Sequence, residues 1–231
     1  MKIVFMGTPD FSVPVLEALV KAGHQVEAVV TQPDKPKGRG KAVLMTPVKE
    51  KAMELGIPVY QPVKVREPEF VEVLKELKPD VMVVVAFGQI LPKAVLDIPP
   101  YGCVNVHASL LPKYRGAAPI QWVVIDGEKE SGVTTMMMDV GLDTGDMLLK
   151  AETPIGETET AGELSDRLSE LGAQLLIKTL RELEAGTLQR TPQNPDEATY
   201  EPKLDKETGR IDWSRNASEI DCLVRGTTPW P

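Results

Sequence analysis

The residues in this chain best suited to chemistry are a carboxamide and an imidazole two positions apart, in Asn105-Val106-His107. Only two histidines occur, and the other, His24, follows Gly23 at a helix end, where it reads as a solvated cap. The residues before His107 read as a strand, and side chains two apart on a strand project to the same side. Asn105 and His107 are thereby presented together. A second group is Asp139-Val140-Gly141-Leu142-Asp143-Thr144-Gly145-Asp146, with three carboxylates in eight residues. A calcium loop needs a different spacing and a terminal Glu, so no metal is expected here. A carboxylate in such a tight turn could instead reach a strand-end imidazole and fix its tautomer. Alone, the tripeptide reads better as two polar residues finishing a strand. With the acidic turn beside it, the set supplies a proton mover, an oxyanion donor and an orienting charge, the parts for acyl transfer. No serine or cysteine is evidently activated by the histidine. Cys103 shares the face of Asn105 and is an alternative nucleophile, but one supplied by a ligand fits better.

These groups need elements to hold them. Ile3 to Met6 reads as a strand, followed by a helix from Phe11 that Gly23 stops. Gln25 to Thr31 is a second strand, and Gln32 to Met45 a loop rich in Pro, Gly and Lys. Thr46 caps a helix with Pro47 at its first position, and Gly56 closes it. A brief strand at Pro58 to Tyr60 and a helix from Pro68 precede the apolar run Val81 to Ala86, which suits a strand covered on both sides. Gly102 to Val106 is a further strand and Ala117 to Ile125 a helix. This alternation predicts an α/β fold with a doubly wound, mostly parallel sheet. After residue 131 the order changes, and Val133 to Asp139 and Asp146 to Ala151 suggest an antiparallel return. Thr160 to Ala185 is one long helix; a short strand (Arg210 to Trp213) and a helix (Ala217 to Arg225) close the chain. Residues 1–190 read as the catalytic domain and 191–231 as an extension or linker. In such sheets ligands bind beyond the carboxyl ends of the strands. Three loops qualify there: Gly7 to Phe11, Phe87 to Pro92, and His107 to Gly116.

Composition removes other classes. The chain has 231 residues and a net charge of −8, which argues against a protein that coats nucleic acid. The charge is uneven: residues 1–150 sum to −1 and residues 151–200 to −6, so the first part is free to meet an anion. No apolar run approaches the roughly 18 residues that span a bilayer, and no membrane contact is expected. Two cysteines give neither a disulfide framework nor zinc spacing, and a cytoplasmic location follows. The first loop, with one glycine and Pro9, lacks the dinucleotide fingerprint.

The stretch Asn105 to Ile120, followed by Asp139 to Asp146, resembles the formyltransferase family that uses 10-formyltetrahydrofolate. The opening Gly7-Thr8-Pro9-Asp10-Phe11, the loop Thr31 to Lys41 and the closing Pro229-Trp230-Pro231 are similar to its branch acting on methionyl-tRNA. The resemblance covers essentially the whole chain. It implies a Rossmann-like formyltransferase fold and a catalytic trio of Asn105, His107 and Asp143. It also implies that Ser109, Leu110, Leu111 and Pro112 border the folate, with the pterin held by backbone around Ile90, Leu91 and Asp139 to Asp143. Flat pterin edges suit backbone donors and acceptors in apolar-flanked loops, and Ile90, Leu91, Leu110 and Leu111 could wall them. Phe11 is a candidate contact for the methionyl side chain. The acceptor is then the α-amino group of initiator methionyl-tRNA, formylated for translation initiation by a monomer.

The same resemblance gives a role to the cations Lys35, Lys37, Arg39 and Lys41, which would otherwise read as a solvated loop. They total +3 with Asp34, enough to meet tRNA phosphates. Two other classes stand beside this reading. One formylates a small amine, such as glycinamide ribonucleotide or an amino sugar, although a phosphorylated substrate would favour a Gly- and Ser-rich first loop. The other is a non-catalytic folate- or RNA-binding module, which would not require the trio. The resembled family carries a further β-barrel domain beyond Pro229-Trp230-Pro231, so a missing second domain is expected.

Overall fold

The computed structural model describes residues 1–37 and 42–231. A seven-stranded sheet forms the centre. Its first strands are β1 (Lys2–Gly7), β2 (Gln25–Val30) and β5 (Val59–Tyr60), its middle β6 (Val81–Val85) and β7 (Cys103–His107), and its far edge β9 (Glu130–Met137) and β10 (Met147–Pro154). The order β10-β9-β7-β6-β1-β2-β5 is parallel from β7 to β5. Strand β9 runs antiparallel to both β7 and β10, so the expected return after residue 131 is present. The chain winds outward from β1 through β5 and then resumes at β6 on the other side of β1. That reversal opens a crevice at the carboxyl ends of β1 and β6.

Alternation along the strands divides the core into two layers. Ile3, Phe5, Val83, Val104 and Val106 face α1 (Val13–Lys21) and α6 (Ala161–Ala185). Val4, Met6, Met82, Val84 and Cys103 face α3 (Pro68–Leu77) and the short α4 (Lys93–Leu96). Strand β6 has no exposed residue, which accounts for its unbroken apolar run. Two helix starts follow from their caps. The Thr46 hydroxyl accepts from the Lys49 amide at 3.1 Å ahead of α2 (Pro47–Glu54), and Thr160 and Glu163 form a reciprocal capping box at α6.

Two expectations are corrected. The Pro- and Lys-rich segment is not plain loop: β3 (Lys35–Lys37) pairs antiparallel with β4 (Ala42–Leu44). Arg210 to Trp213 is not a strand, because the Asp212 carboxylate turns the chain by accepting from the Ser214 amide at 3.0 Å. The segment after residue 190, read as an extension or linker, lies against the first 190 residues. Thr191 bridges to Met147, β11 (Tyr200–Glu201) pairs parallel with β8 (Arg115–Gly116), and the Trp122 indole donates to the Pro202 carbonyl at 2.9 Å. Helix α7 (Ala217–Gly226) then packs on α5 (Pro119–Ile125), where a Cβ on Gly226 would lie 2.4 Å from Ile125. No helix among the described residues is long and apolar enough to cross a membrane.

Candidate active site

The rim at the strand ends is stitched by backbone acceptors. The Phe87 carbonyl takes the Thr8 hydroxyl at 2.9 Å and the Gln32 side-chain amide at 3.2 Å. The Ser12 hydroxyl donates to the Val85 carbonyl at 2.6 Å. Gly7 is required there, since a Cβ would lie 2.9 Å from that carbonyl and from Ser12.

Asn105 and His107 occupy consecutive same-side positions of β7, as the period-two reading expects. Cys103, the first residue on that side, lies under α4 with its sulfur 3.9 Å from the Leu96 carbonyl. Burial pushes its thiol up to about 12, so the alternative nucleophile holds no thiolate at neutral pH. Further along the strand the cover ends. The Asn105 carboxamide makes no hydrogen bond among the described residues, yet none of its polar atoms is sealed from solvent. It is a donor and acceptor available to a ligand.

His107 Nε2 lies 2.8 Å from the Tyr114 carbonyl. A carbonyl only accepts, so Nε2 is the donor in this contact and Nδ1 is left to face other groups. Nδ1 faces Asp143 Oδ1 at 3.8 Å, with both side chains largely buried. That is ion-pair distance without a direct hydrogen bond. The other Asp143 oxygen accepts from the Gly116 amide at 2.8 Å. Three non-glycine residues adopt left-handed backbone at this rim, Ala86, Tyr114 and Asp143, at φ of 47°, 55° and 55°. Each costs on the order of 1–3 kcal/mol and so must be held from outside. Tyr114 is held by its hydroxyl, which donates to Asp126 at 2.9 Å; burial first, then Asp126, push that hydroxyl above the usual phenol range.

The residues expected around a folate divide by exposure. Ile90 is 81% exposed and Leu110 partly so, whereas Leu91 and Leu111 are 2% and 0% exposed. The side chains of Leu91 and Leu111 turn their apolar surface into the core. Val140 and Leu142, 70% and 57% exposed, supply apolar surface on the acidic turn instead. Their apolar character in a Gly- and Asp-rich turn was the available signal. Ser109 turns its hydroxyl to the Lys113 carbonyl at 2.7 Å, and Pro112 is buried with its carbonyl taken by the Thr199 amide. Asp139 folds the turn itself, accepting from the Gly141 amide at 3.0 Å and the Thr144 hydroxyl at 2.6 Å. Phe11 is half-buried against the α1–α6 core, and its carbonyl accepts from Ser169 at 2.7 Å. Of the expected cations, Lys35 is exposed on β3 and Lys37 ends that strand, while Arg39 and Lys41 lie outside the described residues. Asp34 has partners elsewhere on the domain. Hydrogen bonds from Lys49 at 2.8 Å and Gln61 at 2.7 Å hold its carboxyl below the ordinary carboxylate range. Among the described residues no three His, Cys, Asp or Glu side chains gather as a metal site.

Comparison with known proteins completes the site. Residues 1–180 match the formyl transferase family, and residues 203–231 match the formyl transferase C-terminal domain. The methionyl-tRNA formyltransferase of Acetivibrio thermocellus is 62% identical over 231 residues, covering 100% of this chain and 74% of that protein. That of Clostridioides difficile is 60% identical, covering 100% and 75%. In fold the chain is similar to an N-formyltransferase of Helicobacter canadensis solved with folinic acid and dTDP-3-aminofucose, with a TM-score of 0.75 and 23% identity over 98% of this chain and 80% of that one. It is also similar to glycinamide ribonucleotide transformylase 1 of Symbiobacterium toebii, with a TM-score of 0.69 and 18% identity over 84% and 94%.

Proposed function

The chain belongs to the formyl transferase family, and from that premise we propose that its site moves the formyl group of 10-formyltetrahydrofolate onto the α-amino group of methionyl-tRNA. The high identity to methionyl-tRNA formyltransferases over the whole chain favours this acceptor over a small amine. One observation carries the chemistry. Among the described residues, His107 Nδ1 and the Asn105 carboxamide are both uncommitted to direct hydrogen bonds at the strand end, and Asp143 is the one carboxylate paired to the ring.

Transfer proceeds directly between the two substrates. The amine nitrogen, with reference pKa near ~7.7–8.0, is available in its neutral form at cytosolic pH. It attacks the formyl carbon and forms the new N–C bond, while the carbonyl oxygen gains negative charge. Asn105 and a proton-bearing Nδ1 of His107 donate to that oxygen, and Asp143 compensates the ring's charge. The tetrahedral carbon then expels N10 of the folate. The proton lost by the amine reaches N10 through water organised by Asp143 and His107, so the carrier leaves as tetrahydrofolate. Exposed Ile90, Val140 and Leu142 meet the apolar faces of the pterin. The cationic segment from Lys35 to Lys41 meets tRNA phosphates. The protein does this as a cytoplasmic monomer, with no metal in the chemistry. The test is formylation from 10-formyltetrahydrofolate with methionyl-tRNA, glycinamide ribonucleotide and an amino sugar as competing acceptors. Formyl transfer to methionyl-tRNA alone is expected; preference for either small amine would reject the proposal.

A further inference from the structure

Gln193 lies between the segments matched by the two family models, in a polar stretch after α6. Its side chain nevertheless reaches into the candidate active site. Nε2 donates to the Asp143 carbonyl at 2.8 Å and to the Gly145 carbonyl at 2.7 Å. Oε1 accepts from Arg115 Nε at 3.0 Å. The amide orientation is forced, since a guanidinium only donates and carbonyls only accept.

Arg115 is 5% exposed and has no carboxylate within ion-pair distance among the described residues. Its charge is solvated by Gln193, by the Tyr200 hydroxyl at 2.8 Å and by the Tyr200 ring 5.4 Å below. The same stretch also grips the other catalytic side. The Thr199 hydroxyl accepts from the Tyr114 amide at 2.8 Å, and the Thr199 carbonyl from the Arg115 amide at 2.9 Å. Tyr114 is the residue whose carbonyl holds His107 Nε2. A strap of residues 191–201 is thus fixed to both strained positions, Tyr114 and Asp143.

We propose that Gln193 is a positioning residue for formyl transfer: by bridging Arg115 to the Asp143 and Gly145 carbonyls it sets the spacing between Asp143 and His107. This rests on the formyl-transfer reading above. Asp143 sits at φ 55°, and among the described residues its side chain has one hydrogen bond, from Gly116, so its carboxylate direction depends on the backbone that Gln193 clamps. Loss of orientation at a catalytic pair costs on the order of 10- to 100-fold in rate for displacements near 1 Å.

The test compares wild type with Gln193→Leu, which keeps the volume but removes the bonds, and Gln193→Glu, which keeps an acceptor for Arg115 but loses the paired donor. Both variants are expected to lower kcat about 10- to 100-fold with KM for 10-formyltetrahydrofolate within about twofold. Combined with Asp143→Asn, Gln193→Leu should add less than about twofold, because its effect runs through Asp143. Amide exchange over residues 139–146 should quicken in both single variants while that of β7 and α6 stays unchanged. Losses that multiply in the double variant, a rise in KM alone, or unaltered exchange over 139–146 would each overturn the proposal. Wild type failing to formylate methionyl-tRNA would instead reject the formyl-transfer reading, and the exchange measurement would still decide the strap.

Discussion

At His107 the two ring nitrogens have separate tasks because the Tyr114 carbonyl occupies one of them. In the proposed reaction the remaining nitrogen meets a substrate oxygen while Asp143 stands 3.8 Å away, beyond direct hydrogen-bond distance. Asn105 completes the pair with a side chain that has no hydrogen-bond partner among the described residues. Replacing it by Ala should lower turnover by about 10²–10³ while folate affinity changes little, as measured by single-turnover formylation and equilibrium binding. Near-normal turnover would remove Asn105 from the reaction. Cys103 gives an independent check on the same strand. With its thiol pushed up to about 12, it should resist alkylation at pH 8 in the folded protein and react once the chain is unfolded.

Much of the framework is legible because it rests on local patterns. The apolar run at β6, the Thr160-x-x-Glu163 cap and the two-residue spacing of Asn105 and His107 each have a short-range physical cause. What escaped has a long-range cause. A lone Gln193 in polar sequence gives no sign of the two carbonyls it holds about 50 residues away in the chain. Leu91 and Leu111 look like any loop leucine until the packing that seals them is known. Arg210 to Trp213 alternates like a strand, but Asp212 captures the backbone first. The start of α6 offers a test of element stability. Glu159 is bound by Arg167 at 2.6 and 2.9 Å, and that hydrogen bonding is the main reason its carboxyl lies below the ordinary value of 4.5. A depressed carboxyl stabilises the fold above its unfolded pKa and ceases to do so as pH falls through the folded one. Glu159→Gln should therefore cost about 1 kcal/mol at pH 7. The difference in Tm from wild type should shrink as the pH is taken down through and below 4.5. An offset constant with pH would contradict this assignment.

Across the whole molecule the net charge of −8 hides a division of labour. The surplus acid belongs to residues 151–200, which include the outer face of α6, whereas the segment from Lys35 to Lys41 holds four cations and Asp34 is compensated by Lys49. Neutralising Arg39 and Lys41 together should weaken methionyl-tRNA binding and reduce the slope of log K against log salt by between about one and two. An unchanged slope would separate this segment from the tRNA. The strap gives the molecule a direction in time as well as in space. Its ties join residue 114 to residue 199, 85 positions apart, and residue 143 to residue 193, 50 apart. A chain leaving the ribosome from its amino end can complete the sheet once β10 has emerged, but the Asp143 turn stays unclamped until Gln193 follows. The sheet is thus complete before the turn beside it is clamped, and the order of synthesis sets the scaffold ahead of the fine geometry of its rim.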